Sequence, residues 1–145
     1  MHEQRLTLRL LRYWELMRKD APYPPISHFN SEVVGELWPF CFKTAVDKRK
    51  KTAYTYEYMG DELAKLYGQD LTGMTIDYNM TQFPGGVVHK KLPEVVESGA
   101  PLLDDGHFLN QEQGLIKYRA CYLPFGDSKK GVTHIVVGLS CRKFG

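Results

Sequence analysis

The chain has 145 residues, 43% of them hydrophobic and 12% aromatic, which is one globular domain's worth of sequence with enough apolar mass to bury a core unaided and too much to stay disordered. A formal charge of +2 is too small to argue for a nucleic-acid partner, and none is expected.

Residues 4 to 19 place Leu6, Leu10, Tyr13, Trp14 and Met17 at helical spacing, with Arg9, Arg12, Arg18 and Lys19 elsewhere, and predict an amphipathic helix. Leu8, Leu11 and Leu16 widen its apolar stripe beyond the roughly 100° that one sheet face needs, and the surplus predicts a homodimer. The interface expected for it, or for a different protein partner, is Leu6, Leu10, Tyr13, Trp14 and Met17. Arginines inside this run are unlike a signal peptide, and no stretch of about 18 uncharged apolar residues follows, so a cytoplasmic protein without membrane insertion is expected. Pro22, Pro24 and Pro25 make an extended connector. A short helix is expected over Ser31 to Leu37, capped by Asn30 or Ser31 and ended by Pro39.

Phe40 to Val46 and Thr52 to Met59 read as a hairpin, with Thr52, Tyr54, Tyr56 and Tyr58 on one face. The intervening DKRKK run at 47–51 carries no interleaved aromatic or glycine and reads as a solvated turn. Asp61 is the expected N-cap of a helix closed by Gly68, with irregular pieces after it. Val88, Leu92, Val95 and Val96 predict a helix between Gly86 and Gly99 that Pro93 kinks or divides. A strand at Pro101 to Leu109 then precedes a hairpin from Leu115 to Ser140. Its first arm sets Ile116, Tyr118, Ala120 and Tyr122 against Lys117, Arg119 and Cys121, and its turn holds Gly126, Asp127, Ser128 and Gly131. In the second arm Ile135, Val136, Val137 and Leu139 put apolar groups on both faces, which requires a central strand covered on both sides.

The fold class is therefore α+β, a five-stranded antiparallel sheet with short helices on one face and the N-terminal amphipathic helix on the other. The ordered runs LLRYWELMR, YTYEYMGDELAKLYGQDLTGM, EVVESGAP and YRACYLPFGDSKKGVTHIVVGLS carry a resemblance that spans nearly the whole chain. Its anchors are Tyr13, Trp14, Gly60, Gly68, Asp70 to Gly73, Gly99, Pro101, Leu123 and Pro124. The chain resembles the PAS sensor domain, in the form of the small single-domain PAS proteins of alphaproteobacteria. The resemblance implies strand order 2-1-5-4-3, with residues 1–30 as helix and connector and residues 31–145 as the PAS core.

Motifs of hydrolases, nucleotide triphosphatases, metalloproteases and dinucleotide enzymes are missing from the sequence. Cys41, Cys121 and Cys141 are odd in number and lack a CxxC pair, so reduced structural thiols are expected and no metal site. Cys141 to Phe144 is similar to the reactive-cysteine run of flavin-binding LOV domains, but it ends the last strand rather than sitting mid-chain on a helix. His89 lies where some PAS domains bind haem, yet adjoins Lys90 and Lys91 and reads as a surface histidine. His134 reads as a satisfied core or interface histidine. No cofactor is expected.

With those motifs missing, the resemblance implies a non-catalytic bacterial signalling module acting through protein–protein contact, with a small ligand in its cavity as a further option. The candidate pocket is Phe42, Tyr54, Tyr56, Tyr58, Leu63, Tyr67, Val88, Leu92, Tyr118 and Ile135. The resemblance implies a histidine kinase, a cyclic-nucleotide signalling enzyme or a cell-pole protein as recipient. The alternatives are a small-molecule enzyme on a similar curved sheet, using Glu57 or Asp77 as acid–base groups, and a haem or flavin sensor.

Overall fold

In the computed structural model, residues 4–47, 49, 53–77, 86–110 and 112–144 are described; Thr52, most of the DKRKK run and residues 78–85 lie outside them. The helix α1 (Gln4–Arg18) is followed by the connector and a short α2 (Ser31–Val34). The strands β1 (Cys41–Val46) and β2 (Ala53–Met59) precede α3 (Asp61–Tyr67) and β3 (Thr75–Asp77). Two helices, α4 (Gly86–His89) and α5 (Leu92–Ser98), lead to β4 (Leu102–Leu109), β5 (Leu115–Asp127) and β6 (Gly131–Phe144).

The sheet is antiparallel with order β3-β2-β1-β6-β5-β4. This is the expected arrangement with one strand added at the β2 edge. The addition, three residues long, is too short for alternation to be read from sequence; it pairs Ile76 with Tyr54 and buries it. The central strand β6 divides two apolar layers as its residues require. Ile135, Val137 and Leu139 face the layer under α3, α4 and α5. Val136 faces the other layer, together with Cys41, Cys121, Leu123 and Phe125.

This outer layer is closed by Leu6, Leu10 and Trp14, at the i, i+4, i+8 spacing that aligns one helix face. The Trp14 Nε1–H donates to the Pro124 carbonyl at 2.7 Å. Gly138 opens the space for this approach, since a Cβ there would lie 2.1 Å from Leu10 Cδ1. Phe29, Val34 and Leu37 complete the cover.

Several boundaries differ from expectation for identifiable reasons. Asn30 caps α2, its Oδ1 accepting from the Glu32 and Val33 amides at 3.0 and 3.1 Å, but Pro39 does not end the segment; the chain continues as a 3-10 helix from Gly35 to Phe40 with Pro39 inside. Asp61 is the first helical residue of α3 and Gly60 is the N-cap. Only glycine fits there, because a Cβ would stand 2.1 Å from the Pro39 carbonyl oxygen. We expect Gly60→Ala to cost on the order of 2–3 kcal/mol by this backbone overlap; an unshifted urea midpoint would contradict the close approach. The helix expected between Gly86 and Gly99 is two helices, with Pro93 in the first turn of α5 and Gly99 closing it at φ 65°.

Candidate functional site

The layer beneath the short helices brings together nine of the ten expected pocket residues. Phe42, Tyr54, Tyr56, Leu63, Tyr67, Val88, Leu92, Tyr118 and Ile135 are all buried in one cluster. Tyr58 is the exception. The register between β1 and β2 slips where Lys43 pairs with Tyr58 and Thr44 with Tyr56, leaving Glu57 as the extra residue of a bulge. The alternation is thereby advanced by one, Met59 joins the cluster, and Tyr58 turns to the outer face to stack on Trp38 at 4.3 Å.

His89, expected at the surface, is 2% exposed. The break between α4 and α5 sends Lys90 outward while His89 points inward, its Nε2 hydrogen-bonded to the Tyr56 hydroxyl and its ring stacked against Phe42 at 6.2 Å. The Tyr122 hydroxyl donates to the Val88 carbonyl at 3.2 Å, which ties β5 to α4. Tyr67 is fully buried, edge-on to Phe108 at 5.2 Å, and its hydroxyl has no hydrogen-bond partner among the described residues. Burying a hydroxyl without a partner is costly, so this atom marks a place where an acceptor is wanted.

Burial holds the Tyr56 and Tyr67 phenols well above their usual ionisation range, and pushes Tyr118 up to about 12 with Asp104 as the next cause. These hydroxyls are therefore neutral donors at physiological pH rather than bases. Two substitutions separate the roles. In protein freed of small molecules, Tyr56→Phe takes away a partner of a buried imidazole and is expected to cost about 1–3 kcal/mol, whereas Tyr67→Phe removes a hydroxyl with no partner among the described residues and is expected to be neutral or stabilising. Thermal melts of the two variants check this pair; equal losses would contradict it.

Neither a haem-ligand role for His89 nor a LOV-type reactive-cysteine role for Cys141 fits these residues. The Nε2 atom of His89 is engaged by Tyr56. All three cysteines stand on strands, with Cys41 and Cys121 in the opposite layer. Burial pushes the Cys141 thiol up to about 12, away from thiolate reactivity. Among the described residues no cluster of His, Cys, Asp and Glu could hold a metal ion.

Of the acid–base groups of the enzyme alternative, Glu57 does not join the cluster. Glu57 lies on the outer face, 3.2 Å from His134 Nε2 and 3.7 Å from Lys43 Nζ, and the Asp77 side chain is outside the described residues. His134 is half-buried, with its Nδ1 2.8 Å from the Thr133 hydroxyl.

Of the residues expected at a dimer or partner interface, Leu6, Leu10 and Trp14 are committed to this chain's own outer layer, and Tyr13 and Met17 pack at its margin. The large apolar side chains that α1 leaves to solvent are Leu8, 49% exposed, and Leu16, 69% exposed. No helix is long and apolar enough to cross a membrane, among the described residues.

Neither a family profile nor a curated protein matches the sequence. Solved structures do. A light-oxygen-voltage domain from a study with a flavin analogue superposes with a TM-score of 0.55 at 12% identity, over 82% of this chain and 88% of that one. A fungal LOV-domain photoreceptor gives 0.49 at 14% identity over 76% and 78%, and a PAS domain from Colwellia psychrerythraea gives 0.46 at 14% over 72% and 86%. The first of these likenesses places the fold with PAS and LOV domains, and at such identity the likeness is one of fold.

Proposed function

We propose that this chain is a PAS-type sensor and signalling module. A small molecule with a hydrogen-bond acceptor is held in the layer under α3, α4 and α5, and its occupancy is read by a partner protein on the outside of the sheet. The observation that carries this reading is the fully buried Tyr67 hydroxyl, without a partner among the described residues, in the same cluster as the Tyr56–His89 pair. A core selected only for stability has phenylalanine and leucine available at such positions at no desolvation cost. The central strand supplies the route outward, because Val137 and Val136 are consecutive residues with side chains in opposite layers. Packed layers on a shared strand move together rather than independently.

Native mass spectrometry of the protein as purified tests the ligand. The expected spectrum shows the chain plus a non-covalent organic molecule, with occupancy lowered at least severalfold in Tyr67→Phe. A bare chain mass in both proteins would overturn the ligand half of the proposal.

Self-association belongs to the same reading as a proposal. With Leu6, Leu10 and Trp14 spent internally, a dimer through α1 rests on Leu8 and Leu16. Sedimentation of a Leu8→Glu, Leu16→Glu variant is expected to give a monomer, and a dimer that persists places the contact elsewhere.

A further inference from the structure

We propose that the end of the molecule formed by the last residues of β6 is a docking surface for an acidic, amphipathic segment of a partner protein. This rests on the signalling reading and gives its partner a chemistry.

Two grooves flank the strand from Ser140 to Phe144. One, of about 780 Å³, lies between it, α1, the 3-10 segment and α3, and has Arg9, Lys65, Arg142 and Lys143 among its walls. The other, of about 370 Å³, runs over β4, β5 and β6 and contains Lys117, Arg119, Arg142 and Phe144. Arg142 forms the rib between them. Together the grooves present six lysines and arginines against three carboxylates, a surplus of three, where the whole chain carries a formal +2.

Each of the three carboxylates already faces a cation. Glu36 pairs with Arg9 at 2.8 Å, Glu62 with Lys65 at 3.2 Å, and Asp105 sits directly across the β4–β5 ladder from Arg119. That leaves Lys117, Arg142 and Lys143, none of which has a carboxylate at ion-pair distance among the described residues. Lys117 and Arg142 instead bracket the Phe144 ring, at 4.8 and 5.1 Å from its centroid. Such contacts orient the cations without neutralising them.

The larger groove is apolar beneath its charged rim, with Leu6, Leu37, Phe40 and Leu66 in its walls. A segment with apolar side chains on one side and carboxylates on the other matches both features. A nucleic acid matches less well. Its continuous phosphates would meet Glu36, Glu62 and Asp105, and a chain of net charge +2 provides little long-range attraction for a polyanion.

The test uses the full chain and three probes by fluorescence anisotropy: an 18-residue Glu-, Leu- and Ala-containing helical peptide with leucines at i, i+3, i+4 and i+7, the same peptide with Gln for Glu, and a 20-nucleotide DNA strand. The acidic peptide is expected to bind at least tenfold more tightly than either of the others. A Lys117→Glu, Arg142→Glu, Lys143→Glu variant, folded by its circular dichroism, is expected to lose at least tenfold, and Lys129→Glu, Lys130→Glu at the β5–β6 turn to lose nothing. Unchanged binding in the triple variant, no binding of the acidic peptide at millimolar concentration, or tighter binding of the DNA each overturns the proposal. Loss only in the turn variant also overturns this surface while leaving the signalling reading intact with its contact elsewhere.

Discussion

Trp14→Ala is expected to cost about 3–5 kcal/mol, the range for removing a large aromatic side chain from a packed core. Trp14 is 2% exposed and fills the outer layer between Leu123, Phe125 and the connector, so its loss leaves a cavity that a helix already touching Gly138 through Leu10 cannot close. It also takes the donor from the Pro124 carbonyl. Against a total stability of about 5–15 kcal/mol for a domain of this kind, the variant stands near the edge of folding. Leu16→Ala, two residues further along α1 but facing solvent, is expected to stay within about 0.5 kcal/mol. Urea titrations of both variants check the pair. A small loss for Trp14→Ala would mean that α1 is held to the sheet by something other than its apolar face.

The second large effect is alkaline unfolding. Burial pushes the Cys121 and Cys141 thiols up to about 12 from their ordinary 9.0, and Cys41 is raised by burial first and by the neighbouring Cys121 second. In the unfolded chain these thiols ionise near 9, while in the fold they stay protonated until about 12. Their contribution is complete below the unfolded value and is lost as pH rises towards the folded one, at roughly 1.4 kcal/mol per pH unit for each thiol. Cys121 and Cys141 alone therefore remove about 4 kcal/mol by roughly pH 10.5. Tyr118, raised to about 12 from 10.0, adds to the loss above pH 10. Denaturant midpoints measured from pH 8 to 11 should fall steeply above 9, and less steeply in Cys121→Ala. A flat profile would show that the thiols are not buried as described. Cys41 and Cys121 both pair with Gly138 from opposite sides, two strand spacings or about 10 Å apart, which is beyond disulfide reach.

Much of this architecture is legible in the chain, and the exceptions have physical causes. The run Ile135 to Leu139 announces a strand covered on both faces because no other environment accommodates it, and the two layers follow. The Tyr row is legible only as far as the alternation is unbroken. One bulge residue, Glu57, carries Tyr58 to the other face, and nothing in the local composition signals it. His89 misleads because its neighbours are lysines; the helix break after it is tertiary, and it turns a residue with charged neighbours into a buried partner of Tyr56. The wide apolar stripe of α1 is readable, and so is the sheet face it covers, but how many of its side chains that face takes is not. Leu6, Leu10 and Trp14 are taken by the sheet, and the surplus that predicts a dimer shrinks to Leu8 and Leu16. The unpartnered Tyr67 hydroxyl is invisible in sequence, since satisfaction of a hydroxyl depends on every element packed around it.

On the proposed function, occupancy under the helices is read across β6 in the outer layer. The protein's two tryptophans, Trp14 and Trp38, both report from that outer layer. The most direct measurement compares their emission in protein as purified with protein unfolded in guanidinium, freed of small molecules by gel filtration and refolded. A shifted emission in the stripped protein, restored by adding back the small-molecule fraction, is the predicted result. Identical spectra, with a released molecule demonstrated by mass, would contradict the claim that the two layers communicate.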